Sequence, residues 1–109
     1  MTRLAVRPRA LARVDVEQAT DYYADEAGVD VALAFIAAIE QAYSFIAEVP
    51  GSGSPHWAHE LDLPGLRAWP IKGFPWIVFY SANEIQIDVW RVLHAKRDIP
   101  ASMRDDDHN

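Results

Sequence analysis

Phe74-Pro75-Trp76-Ile77-Val78-Phe79-Tyr80 is apolar at odd and even positions alike. Successive side chains of a strand point to opposite faces, so a strand of this composition needs cover on both sides and belongs in the interior of a sheet. Pro75 then has to stand at its start, where a missing N–H costs no ladder bond. Two further short runs rich in β-branched and aromatic residues flank it, Leu66 to Lys72 and Ile85 to Leu93. They are separated from it by Gly73 and by Ala82-Asn83-Glu84, gaps of hairpin length. The stretch from Gly65 to Asp98 therefore reads as a three-stranded antiparallel meander, with Phe74 to Ser81 as its central strand.

The chain before the meander supplies its partners. Arg3-Leu4-Ala5-Val6-Arg7 alternates like a short strand and is stopped by Pro8, which suits an edge position. From Arg9 to Ala27, apolar residues recur at Ala12, Val16, Ala19, Tyr23 and Ala27, a helical spacing that ends at Gly28. Asp30 can cap a second helix whose stripe runs Ala32, Phe35, Ile36, Ile39, Ala42 or Tyr43, Ile46 and Val49, closed by Pro50-Gly51. So short a link makes the two helices an antiparallel hairpin. The polar segment from Ser52 through His56, Trp57 and His59 to Glu60 reads as a mobile loop.

The expected architecture is α+β, in the order β-α-α-β-β-β, with a helical hairpin on one face of a four-stranded, largely antiparallel sheet. Residues 1–100 form a single domain, and residues 101–109 read as a flexible acidic tail. Two helices cover only one face of such a sheet. With Trp69, Trp76 and Trp90 in the meander, the pattern leaves large side chains for another molecule to bury, unless the C-terminal tail folds back over them.

The net charge of −6 argues against a protein that binds nucleic acid through phosphate attraction alone, and its distribution is uneven. Residues 1–13 hold four arginines and no acid, residues 14–63 hold ten acids and no Lys or Arg, and residues 64–104 hold six bases against three acids. Such a division is either an acidic solvated helix face with basic strand ends or a field that steers an acidic partner to the basic half. The absence of cysteine removes disulfides and thiolate metal sites and is compatible with a cytoplasmic protein. The apolar run Val31 to Ile39 is far short of the roughly 20 residues of a membrane span, and the first residues lack the apolar core of a signal peptide.

Few residues invite catalysis. His56 and His59, with Glu60 and Asp62 nearby, have no further ligand at metal-site spacing, and no metal or cofactor is expected. Ser44, Ser52, Ser54 and Ser81 lack a nucleophile-elbow context, and no glycine-rich phosphate loop is present. His94, at the end of the last strand, is either a hydrogen-bonded structural group or a general base. Arg67, Arg91 and Arg97 lie on or beside neighbouring strands, from which they can converge on a phosphate or carboxylate. Arg91 interrupts the odd-numbered apolar positions of its strand, which means either a bulge near Trp90 or an arginine at the sheet rim. Arg97-Asp98 also fits a salt bridge or a helix cap.

Gly65-Leu66-Arg67, Gly73-Phe74, Ile77-Val78-Phe79-Tyr80 and the closing Arg91-Val92-Leu93-His94 with Arg97-Asp98 resemble, in order and spacing, the C-terminal half of the ParE branch of the RelE/ParE toxin family. The resemblance extends over roughly Arg3 to Ile99. It implies the toxin of a type II toxin–antitoxin pair, held by a cognate ParD-like antitoxin and poisoning DNA gyrase when released. The antitoxin is then expected on Arg67, Trp69, Trp76, Tyr80, Trp90, Arg91 and Arg97, with the tryptophans and Tyr80 as anchors and the arginines pairing with its carboxylates. Relatives of RelE type are ribosome-dependent ribonucleases, and that alternative makes Arg67, Arg91, His94 and Arg97 the catalytic set. The chain departs from that pattern: no lysine lies between the second helix and Arg67, no tyrosine follows Tyr80, and the overall charge is acidic. A third possibility is a non-toxic co-repressor that acts only beside a DNA-binding antitoxin. Direct nucleic-acid binding and membrane association are not expected.

Overall fold

A computed structural model describes residues 3–107 of the chain. Strand β1 (Ala5–Pro8) leads into α1 (Ala10–Ala27) and α2 (Val29–Glu48), followed by a 3₁₀ turn (Pro50–Ser52) and a short α3 (His56–Leu61). The strands β2 (Arg67–Pro70), β3 (Trp76–Ala82) and β4 (Gln86–His94) come next, and α4 (Ile99–Asp107) closes the fold. The sheet order is β1-β4-β3-β2, with β2–β3 and β3–β4 antiparallel and β1–β4 parallel. The expected α+β architecture is present, with β3 interior and Pro75 just ahead of its first residue.

The helical hairpin turns on Gly28 alone, which has φ 100° and ψ 162°. That backbone region is almost closed to residues with a side chain, so the sequence has a glycine where the chain must reverse. The apolar stripe of α2 (Phe35, Ile39, Ala42, Ile46) and the small residues Ala12 and Ala19 of α1 pack against Val78, Tyr80, Ile87, Val89 and Val92 of the sheet. α2 is by length and composition apolar enough to cross a membrane. Here its buried residues lie on the sheet as one layer of the core.

The other sheet face is covered from within the chain. Leu66, Ala68, Phe79 and Leu93 pack with Ile99 and Met103 of α4, and Trp57, Ala58 and Leu61 of α3 join them. From the sequence, this face is open to a partner unless the C-terminal tail folds back over it, 52–60 is a mobile loop and 101–109 a flexible tail. Instead, α3 and α4 are helices that form a third layer. Asp98 starts α4 by accepting the Ala101 backbone N–H at 3.1 Å, an N-cap that serves one of the helix's unpaired donors. The spacing of Ile99 and Met103 then puts both on the sheet, at 4% and 1% exposure. Burying side chains of that size stabilises by about 1.5–3 kcal/mol each. The part of the tail reading that concerns His108 and Asn109 lies outside the described residues.

A bulge in β4 sets the position of Arg91. Phe79 pairs with Arg91 but Tyr80 pairs with Val89, so Trp90 is the extra residue. β1 has already departed at this level: its pairing ends at Pro8–Val89, and the outer edge of β4 beyond that point meets α1. Asp15 of α1 takes the place of a strand there, its Oδ2 accepting the Val92 N–H at 3.0 Å.

Candidate functional site

Along α1, Asp15, Gln18, Ala19, Tyr22 and Tyr23 fall on one face by helical spacing. That face meets the end of the sheet where Trp76 and His94 are cross-strand partners, and Arg97 follows in the turn after β4. Together these residues line a groove of about 420 Å³.

The aromatic wall is held in place from behind. Trp76 donates its Nε1–H to the Tyr23 hydroxyl at 2.9 Å. The Tyr23 ring packs against Phe35 and Phe74 at centroid distances of 5.1 and 5.4 Å, and Tyr22 meets Tyr23 edge-on at 5.7 Å. Such edge and tilted contacts fix ring orientation beyond what burial alone supplies. Tyr22 itself is 60% exposed and forms the outer rim.

The polar groups have divided roles. The carboxylate of Asp15 accepts from Arg91 Nε at 2.8 Å and Nη2 at 2.9 Å, besides the Val92 N–H, and Arg91 Nη1 donates to the Ser102 carbonyl of α4 at 2.7 Å. Both side chains of this bidentate pair are 5% exposed. The floor of the groove is therefore an internally neutralised ion pair that ties α1, β4 and α4 together. His94 accepts the Lys96 N–H on Nδ1 at 3.1 Å, which leaves Nε2 as the protonated nitrogen of the neutral ring. Its ring stands edge-on to Trp76 at 5.3 Å. Arg97 is exposed, and its guanidinium has no partner among the described residues.

The residues singled out from sequence are dispersed over the molecule. Trp76, His94 and Arg97 line the groove, and Arg91 lies behind its floor. Arg67 is opposite Tyr80 on the β2 edge and donates to the carbonyls of Gly51 and Gly53 at 3.1 and 2.7 Å. Tyr80 is fully buried, its hydroxyl donating to the Pro50 carbonyl at 2.8 Å and accepting the Gly53 N–H at 2.9 Å. Arg67 and Tyr80 thus fasten the 50–54 turn to the sheet. Trp69 stacks on Phe45 at 4.7 Å, on the helical side. Trp90 lies on the opposite face, under the Arg9 guanidinium at 4.2 Å and donating to Ser81 Oγ at 3.0 Å. The three arginines do not converge on one point, and Tyr80 and Arg91 are buried side chains with no surface for a partner. His56 packs edge-on to Trp57, while His59 and Asp62 line a separate recess beside Arg67. Among the described residues, no three His, Cys, Asp or Glu side chains group to hold a metal ion.

Sequence reasoning missed Asp15, Gln18, Tyr22 and Tyr23 as members of this site. The available signal was Asp15, an acid three residues after Ala12 and four before Ala19, on the stripe that faces the core.

A family model for the ParE toxin of type II toxin–antitoxin systems, parDE, matches residues 6–99. Among solved structures, a chain of a chromosomal ParDE system from P. aeruginosa has a TM-score of 0.72 and 19% sequence identity, over 86% of this chain and 98% of that one. A search of curated proteins returned no match.

Proposed function

Because this chain belongs to the ParE toxin family of type II toxin–antitoxin systems, we propose that it is a cytoplasmic growth-inhibiting toxin, neutralised by a cognate ParD-like antitoxin, and that its target is DNA gyrase. The antitoxin partner is in keeping with the related structure, which is that of a ParDE system. The observation that carries the choice of target is the dispersal of the arginines. A ribonuclease of RelE type needs several cations and a proton donor around one phosphate, so that charge developing in the transition state meets preorganised donors. Here Arg67 is bonded to the Gly51 and Gly53 carbonyls and Arg91 to Asp15, which leaves only His94 and Arg97 side by side in the groove. A toxin that acts by binding has no need of such a cluster. The net charge of −6 is also poorly suited to an RNA-rich surface.

The test is expression of the chain without a partner, together with assays of the purified protein. Filamentation and DNA-damage signalling while translation continues, with loss of gyrase supercoiling or accumulation of gyrase-cleaved DNA in vitro, is the expected result. Cleavage of ribosome-bound mRNA with gyrase untouched overturns the target, and harmless expression with neither activity overturns the toxin reading.

A further inference from the structure

We infer that the groove between α1 and the Trp76–His94 end of the sheet receives a single carboxylate embedded in an apolar segment of a partner peptide. The carboxylate sits on Arg97 and His94, and an adjacent large apolar side chain lies against Tyr22, Tyr23 and Trp76. This rests on the reading of the chain as an antitoxin-bound protein and specifies the chemistry of one contact.

The argument is a balance of donors. The Arg97 guanidinium has no partner among the described residues. His94 offers Nε2–H, since Nδ1 already accepts from Lys96. The Tyr23 hydroxyl accepts the Trp76 N–H and so retains its own proton to donate. Against these stands one acid, Asp15, whose two oxygens already accept from Arg91 and the Val92 N–H. The groove therefore has an excess of donors and of positive charge, and the complement is an anion with acceptor oxygens.

The surroundings restrict that anion. Glu17, Asp21, Asp25 and Glu26 lie on the same helix, all exposed, and residues 14–63 contribute no Lys or Arg. A polyphosphate backbone laid along α1 meets this row of like charges, whereas one carboxylate occupies only the end of the groove that Arg97 and His94 line. The remaining wall is aromatic, and a volume of about 420 Å³ lies within the range of ligand-holding clefts. An Asp or Glu next to a Leu, Trp or Phe fits both halves of the site.

The experiment uses the full-length isotope-labelled chain, titrated with N-acetyl-Leu-Trp-Glu-amide and with the same peptide carrying Gln in place of Glu, followed by NMR. The expected result is that the Trp76 indole N–H and the His94 ring signals shift, with the Glu peptide about fivefold tighter than the Gln peptide, the range for one partly exposed charged hydrogen bond. Arg97→Gln, at an exposed position that the fold does not use, erases the difference between the peptides. Tyr22→Ala weakens both alike. Equal affinity for the two peptides, discrimination that survives Arg97→Gln, shifts confined to other surfaces, or no shift at millimolar peptide each overturn the inference. The antitoxin is measured separately. If it binds wild type, Arg97→Gln and Tyr22→Ala equally well, the groove is removed from the complex while the toxin–antitoxin reading stands. If it fails to bind the wild-type chain, that reading falls irrespective of the peptide result.

Discussion

Substitution of Asp15 removes a buried charge and the acceptor of three hydrogen bonds at once. Its carboxylate holds Arg91 in a bidentate pair at 2.8 and 2.9 Å and the Val92 N–H at 3.0 Å, with both side chains 5% exposed. Asp15→Leu takes the counter-charge and two hydrogen bonds from a buried guanidinium and leaves a sheet-edge N–H without its acceptor. Removing one member of a buried pair costs about 3–5 kcal/mol, out of a total stability of roughly 5–15 kcal/mol for a domain of this kind. At a urea m-value of about 2 kcal/mol/M, the unfolding midpoint falls by roughly 2 M. Arg91→Met alone is also costly, because the carboxylate then keeps only the backbone donor. The double variant Asp15→Leu/Arg91→Met removes both charges of the pair; it leaves the Val92 N–H unpaired, at about 1–3 kcal/mol, and takes the Arg91 donor from the Ser102 carbonyl. It is therefore more stable than Asp15→Leu. Urea unfolding of the four proteins, as a double-mutant cycle, measures a coupling of about 2 kcal/mol or more. Strict additivity, or a loss for Asp15→Leu no larger than the roughly 0.5 kcal/mol of a surface change, refutes the account.

Three further outcomes follow from other parts of the fold. A Cβ at Gly53 falls 2.6 Å from the Tyr80 hydroxyl, so in Gly53→Ala the turn or the Tyr80 ring has to shift. We expect a loss of about 1–3 kcal/mol by thermal unfolding, whereas Gly51→Ala, with open space around it, is near neutral. Burial, reinforced by Asp15 and opposed by Arg13, pushes the Tyr43 hydroxyl up to about 12 from 10.0. A raised folded-state value means that this contribution is complete below pH 10 and is lost as pH rises from 10 towards 12, up to roughly 3 kcal/mol. Tyr43→Phe removes that slope from a pH series of denaturation midpoints, and an unchanged slope contradicts the assignment. Met103→Ala empties a position that is 1% exposed beneath α4 and is expected to cost 2–5 kcal/mol. If α4 is a dispensable tail, the same substitution leaves the unfolding transition where it was.

The helices α1 and α2 and the interior strand β3 were legible because their signals are local. Helical spacing from Ala12 to Ala27 and from Ala32 to Val49, and the two-faced apolar run Trp76 to Tyr80, repeat over enough residues to specify an element unaided. Gly28 and Pro50 mark the ends for reasons of backbone geometry that hold in any context. α3 and α4 lacked such a signal. Trp57, Ala58 and Leu61 in one, and Ile99 and Met103 in the other, are too few apolar residues to establish a period. They become helices because Phe79 and Leu93 present a surface to cover and Asp98 supplies a cap.

By itself, the sequence determined the two long helices and the strands, the α+β class and the membership of a toxin family, because these depend on short-range periodicity and on motif order. The tertiary structure alone decided what the arginines do. In the chain, Arg67, Arg91 and Arg97 are three similar cations at strand ends. The Trp90 bulge places Arg91 on Asp15, which is 76 residues away, the β2–β3 register puts Arg67 beside the 50–54 turn, and Arg97 alone is left facing the groove. A guanidinium forms its strongest bonds with whichever acceptors the fold brings within about 3 Å, and no local pattern specifies contacts made across such separations.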